Sequence, residues 1–452
     1  MSEATGSLLT DPAYRVTEAP VAARGVAWLR GSVARFCEGD DHIRRRALAV
    51  AQIAGIDLER LRTGEGDPTQ ILAEALGLPR DIAPDIAVVA QCYQPHAAVT
   101  DAADQALERL VAACGGQHDE KTSARIGLLV QAHAATTALV AGANPPVPAT
   151  RRVDPSGQTV LVDLTGLPFG AGIHACPGRV HALALASSQL PFHRLHHRGA
   201  PLILPNVWDC ASAAALVQAG FHAIGTTSLG VAAAAGLPDA EAATLRETLD
   251  LATKLARLPV PVTIDIESGL GAQPDELAAQ LWELGIAGIN IEDGRGDHLA
   301  DPGEQVKLLR AIKDAAPALF LNARIDTHWL GLDQASTINR VQQYTDAGAD
   351  GVFVPGLADD QDIAAVVAAT ALPLNVLAQG DPHRLANLGV RRISTGSLLF
   401  RAALGAAVTA AESVRDGKPN PQTPSYSSVE ALAEQWSHPQ PGWTEKSVNA
   451  SR

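Results

Sequence analysis

The sequence predicts two domains of different class: an α-rich domain over residues 1–190 and a (β/α)8 barrel over residues 191–417, followed by a flexible tail over 418–452. Three observations carry this. From Gly25 to about Ala143, apolar residues recur at three- and four-residue spacing, the mark of amphipathic helices. After residue 190, eight short apolar runs alternate with helical stretches. The 452 residues, 46% hydrophobic and 19% charged, exceed one ordinary domain and can bury more than one core.

Taken in order, the helical stretches are Arg30 to Ile53, Pro68 to Leu76, Asp101 to Cys114 and Thr122 to Ala141, separated by Gly, Pro and Asp signals. Pro145, Pro146 and Pro148 end that pattern, and β-like runs follow at Arg151 to Val153 and Thr159 to Leu164. A helix resumes at Gly178, and a polar, His-rich joint, Phe192 to Arg198, leads into the alternation. Its strands read as Leu202 to Leu204, Ala223 to Thr226, Val262 to Ile266, Gly288 to Ile291, Leu319 to Ala323, Gly351 to Val354, Leu374 to Leu377 and Arg392 to Ser394. Eight strands with helices between them fit a closed barrel better than an open sheet, because nothing signals a reversal of strand order. The tail is rich in Pro, Ser and Gln, with one helical stretch at Val429 to Trp436.

Lys and Arg number 35 against 49 Asp and Glu, a net charge of −14 that argues against a nucleic-acid or anionic-membrane binder and for small molecules. Cys37, Cys92, Cys114, Cys176 and Cys210 are odd in number and scattered, which points away from a disulfide framework and toward a reducing, cytoplasmic setting. Met1 to Arg24 carries no export pattern, and no apolar run is long enough to span a membrane.

Residues Pro168 to Gly178 read PFGAGIHACPG, a Gly-rich loop that delivers a thiol to a helix start, where unpaired N–H groups stabilise a thiolate. Such a thiolate can be the axial ligand of an iron porphyrin; the alternative is a structural Cys in a turn. Through Phe169, Gly170, Gly172, His174, Cys176 and Gly178 the string resembles the haem-ligand loop of the cytochrome P450 family. FCEGDDHIRRRAL sets His42 and Arg46 four residues apart on one helical face, similar to the family's C helix, and there the resemblance implies contacts to the haem propionates. QAHAATTAL, Gln131 to Leu139, resembles the oxygen-binding I helix, with Thr136 and Thr137 in the threonine positions. PPVPATRR, Pro145 to Arg152, resembles the strand that contributes a propionate-binding arginine. Two departures stand out. Ala135 occupies the usual acidic position, and the K helix with its Glu-x-x-Arg pair is missing, since only Ala138 to Asn144 separate the two segments. Over about residues 8–188 the resemblance therefore implies a truncated P450-like domain. It would hold haem b through Cys176, with His42, Arg46, Arg152 and His174 around it, and would not hydroxylate a bulky substrate.

Barrel enzymes place their chemistry at the C-terminal ends of the strands. Strand two ends in Thr226, Thr227, Ser228, Leu229 and Gly230, hydroxyls and N–H groups suited to a carboxylate or phosphate. Strand three ends in TIDIESGLG, with Asp265 and Glu267 two apart and so on one side of a strand. NIEDG adds Glu292 and Asp293, and NARIDTHW adds Arg324 and Asp326. Carboxylates on successive strand ends need a cation, oxygen-only ligands favour Mg2+ or Mn2+, and an arginine opposite suits an anionic substrate.

The strings LILPNVWDCASA, TTSLGVAAAAGLPD, TIDIESGLG, GINIEDG, LNARIDT, GVFVPGL and RAALGAAVTAA together resemble the isocitrate lyase and phosphoenolpyruvate mutase superfamily, a TIM-type barrel family, along nearly the whole second half. The resemblance implies that Thr227, Ser228 and Leu229 bind the substrate's carboxylate end and that Asp239 supports the metal shell. Asp265, Glu267 and Glu292 would hold Mg2+, and Arg324 would pair with substrate oxygens. Isocitrate-cleaving members carry a Lys-Lys-Cys-Gly-His loop after strand four, and the phosphorus–carbon mutases a Lys-bearing one. Here Gly294 to Pro302 reads GRGDHLADP, which leaves His298 or Arg295 as the loop acid, while Cys210 reads as a core residue.

The implied activity is that of a Mg2+-dependent lyase or mutase acting on a small 2-oxo or 2-hydroxy carboxylate, breaking a C–C or C–P bond through an enolate that the metal stabilises. Two alternatives stay open: P450-type monooxygenase or oxidoreductase activity of the first domain with a redox partner, and a non-catalytic haem-responsive binding protein. Such barrels commonly associate through C-terminal helices, and the apolar stretch Leu398 to Val414 suits a homo-oligomer.

Overall fold

Extended residues cut the first helix that periodicity predicts in the N-terminal half, while the other three stand where expected. In the computed structural model, which describes residues 7–433 and Trp436, Arg30 to Ile53 is not one helix. α1 (Gly25–Ser32) stops at Val33, and α2 (Gly39–Ile53) starts after Cys37 and Glu38, all three of them extended. α3 (Leu58–Thr63), α4 (Pro68–Ala75), α5 (Ala83–Gln91), α6 (Asp101–Ala113) and α7 (Glu120–Val140) follow. Asp67 and Gln70 form a capping box on α4 with Pro68 in the first turn, and Thr100 and Asp119 cap α6 and α7. The helices share a core that includes Leu29, Leu61, Ile86, Leu107, Ile126 and Leu129. β1 (Ala149–Val153) and β2 (Thr159–Asp163) make an antiparallel hairpin, and α8 (Arg179–Ser187) follows the loop that carries Cys176. These elements form one unit, Met1–Leu190.

The second unit, Pro191–Arg452, opens with α9 (Pro191–Leu195) and then forms a ring of parallel strands. The ring consists of β3 (Leu202–Leu204), β4 (Asn206–Val207), β5 (Ile224–Thr226), β6 (Val262–Asp265) and β7 (Gly288–Glu292). After an inserted hairpin, β8 (Gly294–Arg295) with β9 (His298–Leu299), come β10 (Phe320–Arg324), β11 (Gly351–Phe353), β12 (Leu374–Leu377) and β13 (Arg392–Ser394). Pro205 has no N–H to give the ladder and splits the first strand into β3 and β4. β3 pairs with β13 and β4 with β5, so the eight-stranded barrel closes on itself. Around it run α10 (Cys210–Gln218), α11 (Ser228–Ala235), α12 (Leu245–Leu255), α13 (Pro274–Glu283), α14 (Pro302–Ala315), α15 (Thr327–Leu330), α16 (Thr337–Ala347), α17 (Asp360–Ala369), α18 (Pro382–Asn387) and α19 (Leu398–Arg415). In the tail, Tyr426–Glu430 is helical and continues as one 3-10 turn, Ala431–Ala433. Residues 434, 435 and 437–452 of the predicted flexible tail lie outside the described residues. No helix among the described residues is long and apolar enough to cross a membrane.

The joint before the first strand is part of the barrel's floor. Phe192 packs on Phe320 at the start of β10, with ring centroids 5.3 Å apart, and His196 stacks on the same ring at 4.2 Å. Beside them Asp350 accepts from Lys313 Nζ (2.8 Å) and Leu321 N (2.9 Å), and His193 Nε2 stands 3.6 Å from its other oxygen. Burial opposes ionisation of Asp350, but Lys313 and His193 outweigh it and hold the carboxyl well below its usual range. Asp350→Ala would remove the carboxylate that faces the fully buried Lys313 ammonium. The expected loss is about 3–5 kcal/mol, seen as a fall of at least about 6 °C in the barrel's thermal transition.

Candidate active site

The C-terminal ends of β5, β6, β7 and β10 bring one set of charged side chains to one mouth. Glu292 and Arg324 are paired residues on neighbouring strands, and Arg324 Nη1 lies 2.7 Å from Glu292 Oε2. Arg324 Nε donates to Asp326 Oδ1 at 2.7 Å. Asp265 ends β6, its backbone N–H bonded to Thr226 Oγ1 (2.9 Å), while its carboxylate accepts from Glu267 N (3.1 Å). Strand alternation does not put Glu267 beside Asp265, as the sequence spacing implies. β6 ends first, and Glu267 sits in the left-handed region at φ +48°, as does Leu270 at φ +54°. A non-glycine residue in that region is strained, and such strain collects at functional sites. The turn aims Glu267 at the backbone N–H of Ala242 (3.1 Å) and the hydroxyl of Thr244 (3.4 Å).

The mouth has more negative than positive charge. Burial first, and then the neighbouring carboxylates, push Asp265, Glu267 and Glu292 up, Glu292 to about 8 despite Arg324 beside it. Asp239, on the loop between α11 and α12, adds its charge to Asp265 and Glu267, and its Oδ1 is buried with no hydrogen-bond partner. Burial works against the charge of Arg324, but Glu292, Asp326 and Asp265 outweigh it and hold the guanidinium protonated. Asp293, next to Glu292 in sequence, faces the other way, as alternation requires. It is fully buried and accepts from Arg340 Nη1 (2.9 Å), Tyr344 Oη (2.8 Å) and Asp326 N (2.9 Å). It therefore braces the mouth from behind.

At strand two, the N–H of Thr227 is spent on Val207 O (3.1 Å), so the open donors are those of Ser228 and Leu229 in the first turn of α11. The loop Gly294 to Pro302 folds as the β8–β9 hairpin. Arg295 is pinned there by the carbonyls of Glu292 and Gly294 (2.8 Å each) and by Gln305 Oε1 (3.0 Å). The His298 ring, 70% exposed, pairs with Asp297 Oδ1 (3.1 Å) and with none of the strand-end carboxylates. At Gly294 a Cβ would run into the Asp326 carboxylate and displace it.

In the N-terminal unit, one cavity of about 670 Å3 is lined by His42, Arg46, Arg152, His174 and Cys176 together with Ala135 and Thr136 of α7. That volume is in the range of small-molecule sites. Cys176 is open to this cavity. Burial raises its thiol, opposed by the N–H of Gly178 and by Arg46, Arg35 and Arg179. His174 Nε2 lies 3.2 Å from Glu38 Oε2, and its ring stands 4.1 Å from that of His42. Burial lowers both imidazoles, so both are neutral near pH 7. Arg152 is buried and bonded to Thr150 Oγ1 (3.2 Å) and Arg151 O (3.0 Å).

Comparison with known proteins places the barrel. A family model described as phosphoenolpyruvate phosphomutase matches residues 192–415. An oxaloacetate decarboxylase of Pseudomonas syringae is 31% identical over 243 residues, covering 49% of this chain and 80% of the relative. The chain belongs to the phosphoenolpyruvate mutase/isocitrate lyase superfamily. An uncharacterized protein of Mycobacterium tuberculosis is 44% identical over 246 residues, 54% of this chain and 95% of that protein. The phosphoenolpyruvate phosphomutase structure from Streptomyces platensis superposes with a TM-score of 0.50 at 24% identity, over 54% of this chain and 94% of its own, and shows the shared fold. The superfamily match begins at residue 192, so the P450 resemblance of the first unit rests on its own motifs. Within the superfamily barrel, the strands read from the sequence contained but did not flag a polar interior layer: Asn290, Asn322, Asn375, Arg392 and Ser394, all buried. Polar residues at period two within otherwise apolar strands were the available signal.

Proposed function

We propose that the barrel is a Mg2+-dependent lyase acting on a small 2-oxo or 2-hydroxy carboxylate. The observation that carries this is the Glu292–Arg324 pair standing among Asp265, Glu267 and Asp326, an excess of carboxylate at a strand-end mouth. The donors are oxygens only, and Asp239 Oδ1 is buried without a partner, which fits a hard divalent cation. Among the described residues no three His, Cys, Asp or Glu side chains form a ready cage. Mg2+ needs none, because it keeps several waters and takes one or two carboxylates. When bound, the ion would polarise the substrate carbonyl and stabilise enolate charge. Asp265, Glu267 and Glu292 would hold it directly or through water, and Asp239 would orient that shell. Arg324 would pair with substrate oxygens, and the N–H groups of Ser228 and Leu229 would receive a carboxylate at the positive end of α11. His298 would enter only by movement of its hairpin. Relatives named as oxaloacetate decarboxylase and 2-methylisocitrate lyase support the substrate class. The test is to assay oxaloacetate, methylisocitrate and phosphonopyruvate with the full chain, with and without Mg2+. Mg2+-dependent consumption of one of them is expected; stabilisation by all of them without consumption would favour a binding protein.

For the first unit we propose haem b with Cys176 as axial ligand, supported by the convergence of His42, Arg46, Arg152, His174 and Cys176 on one cavity. Arg46 and Arg152 supply positive charge for propionates, and the apolar wall suits a porphyrin. Ala135 leaves Thr136 without an acidic neighbour, so a binding or sensing role fits this cavity better than monooxygenation with a redox partner. The reduced carbon-monoxide spectrum of the full chain should show a thiolate-type Soret band that Cys176→Ala removes. Absence of that band from the wild type would remove haem from the account.

We also propose a homo-oligomer formed through α19. Leu404, Val408 and Val414 are 52%, 58% and 69% exposed on this helix, an apolar face that a single chain leaves in water. Light scattering should show a dimer or larger species, and Leu404→Glu with Val408→Glu should give monomers.

A further inference from the structure

We propose that Arg392, inside the barrel, is a positioning residue for the Glu292–Arg324 pair; this rests on the reading of that pair as part of the substrate and metal site. Arg392 opens β13 and is 1% exposed, yet no carboxylate among the described residues hydrogen-bonds it. Its Nη2 donates to Asn290 Oδ1 (3.2 Å), the same oxygen that accepts from Asn322 Nδ2 (2.9 Å). Its Nε donates to Ser394 Oγ (3.2 Å), and that hydroxyl passes its own proton to Asn375 Oδ1 (3.0 Å). One guanidinium thus ties β7, β10, β12 and β13 together across the interior.

The tie lies directly beneath the site. Asn290 precedes Glu292 by two residues on β7, and Asn322 precedes Arg324 by two on β10. The strands pair Asn290 with Asn322 and Glu292 with Arg324. Residues two apart share a strand face, so the amide bridge is the layer on which the Glu292–Arg324 pair stands. The arrangement is costly to the fold. Arg392 Nη1 and Asn375 Nδ2 are buried without a hydrogen-bond partner among the described residues, and burial lowers the guanidinium to about 9. An apolar side chain of similar volume would fill this space at less cost, so stability does not account for an arginine here. Fixing the separation of β7 and β10 at the mouth does, and its charge also attracts Asp265.

Arg392→Met and Asn322→Ala in the full chain test the proposal, read by thermal stability, Mn2+ titration and the split between kcat and KM. Arg392→Met is expected to melt at or above the wild-type temperature, yet to bind Mn2+ at least tenfold more weakly and to lose at least tenfold in kcat. A purely structural arginine would move the melting temperature and leave the other two. Mn2+ affinity and kcat within twofold of wild type in folded Arg392→Met would overturn the proposal. Should that variant not fold, Asn322→Ala decides by the same readouts, because it cuts the bridge with Arg392 in place. A wild type that binds no Mn2+ would count against the proposed function instead. A crystal structure of either variant then settles the positioning role, and an undisplaced Glu292–Arg324 pair would overturn it.

Discussion

Asp265→Ala with Glu267→Ala is expected to abolish Mn2+ binding and to lower kcat/KM by at least about 10³-fold, the upper range for removing one preorganised electrostatic contact. It should do so without unfolding the barrel. Both carboxyls are raised by burial and by their neighbours, so in the metal-free protein they repel rather than stabilise. Removing two of the charges should leave the melting temperature of the metal-free chain equal or higher, the usual sign of a site held at the expense of stability. Loss of binding with unchanged or raised stability separates a metal site from a structural cluster. A folded double variant that keeps its Mn2+ affinity within threefold would contradict the assignment.

The second large effect is on pH. Glu292 titrates near 8 in the fold, against an ordinary value of 4.5, with burial as the leading cause and Asp326, Asp265 and Glu267 adding to it against Arg324. Between those values the folded metal-free chain holds a proton that the unfolded chain has lost. Its stability is therefore fully present below about 4.5 and declines as pH rises through about 8. A divalent ion needs the carboxylate, so binding releases that proton and affinity follows the opposite course. Mn2+ affinity should rise by about tenfold per pH unit from 6 to 8 and level off above, while the melting temperature without metal falls over the same interval. In Glu292→Gln both slopes should flatten. Metal affinity independent of pH across this range would show that Glu292 is not displaced from its proton by the ion.

The barrel was legible in the sequence because its strands are short apolar runs punctuated by turns, and for all but the first the observed limits fall within one or two residues of the expected ones. The first strand was expected to end at Leu204, before Pro205; the closed ring shows that it resumes at Asn206, because β3 and β4 face different neighbours. In the first half, apolar spacing runs on through Val33 to Glu38, so periodicity could not see the chain leave the helix there. Of the candidate site, the meeting of Glu292 and Arg324 was legible because they end neighbouring strands. The role of Asp293 was misjudged by the same reasoning, since adjacency in sequence hides the alternation that turns it toward Arg340 and Tyr344. Glu267 reaches its place through a left-handed turn that no residue pattern announces. Arg392 was invisible as a functional group because it opens its strand, four barrel strands away in sequence from Asn290.

The central claim is that the barrel mouth holds a divalent cation and an enolate together. Oxalate is a planar dianion that resembles the enolate of a 2-oxo acid, and titration calorimetry of the full chain with oxalate tests the claim most directly. Oxalate should bind in the presence of Mg2+, fail to bind after chelation, and bind at least about 100-fold more weakly to Arg324→Met. Oxalate affinity that is the same with and without Mg2+, or that survives loss of Arg324, would contradict it.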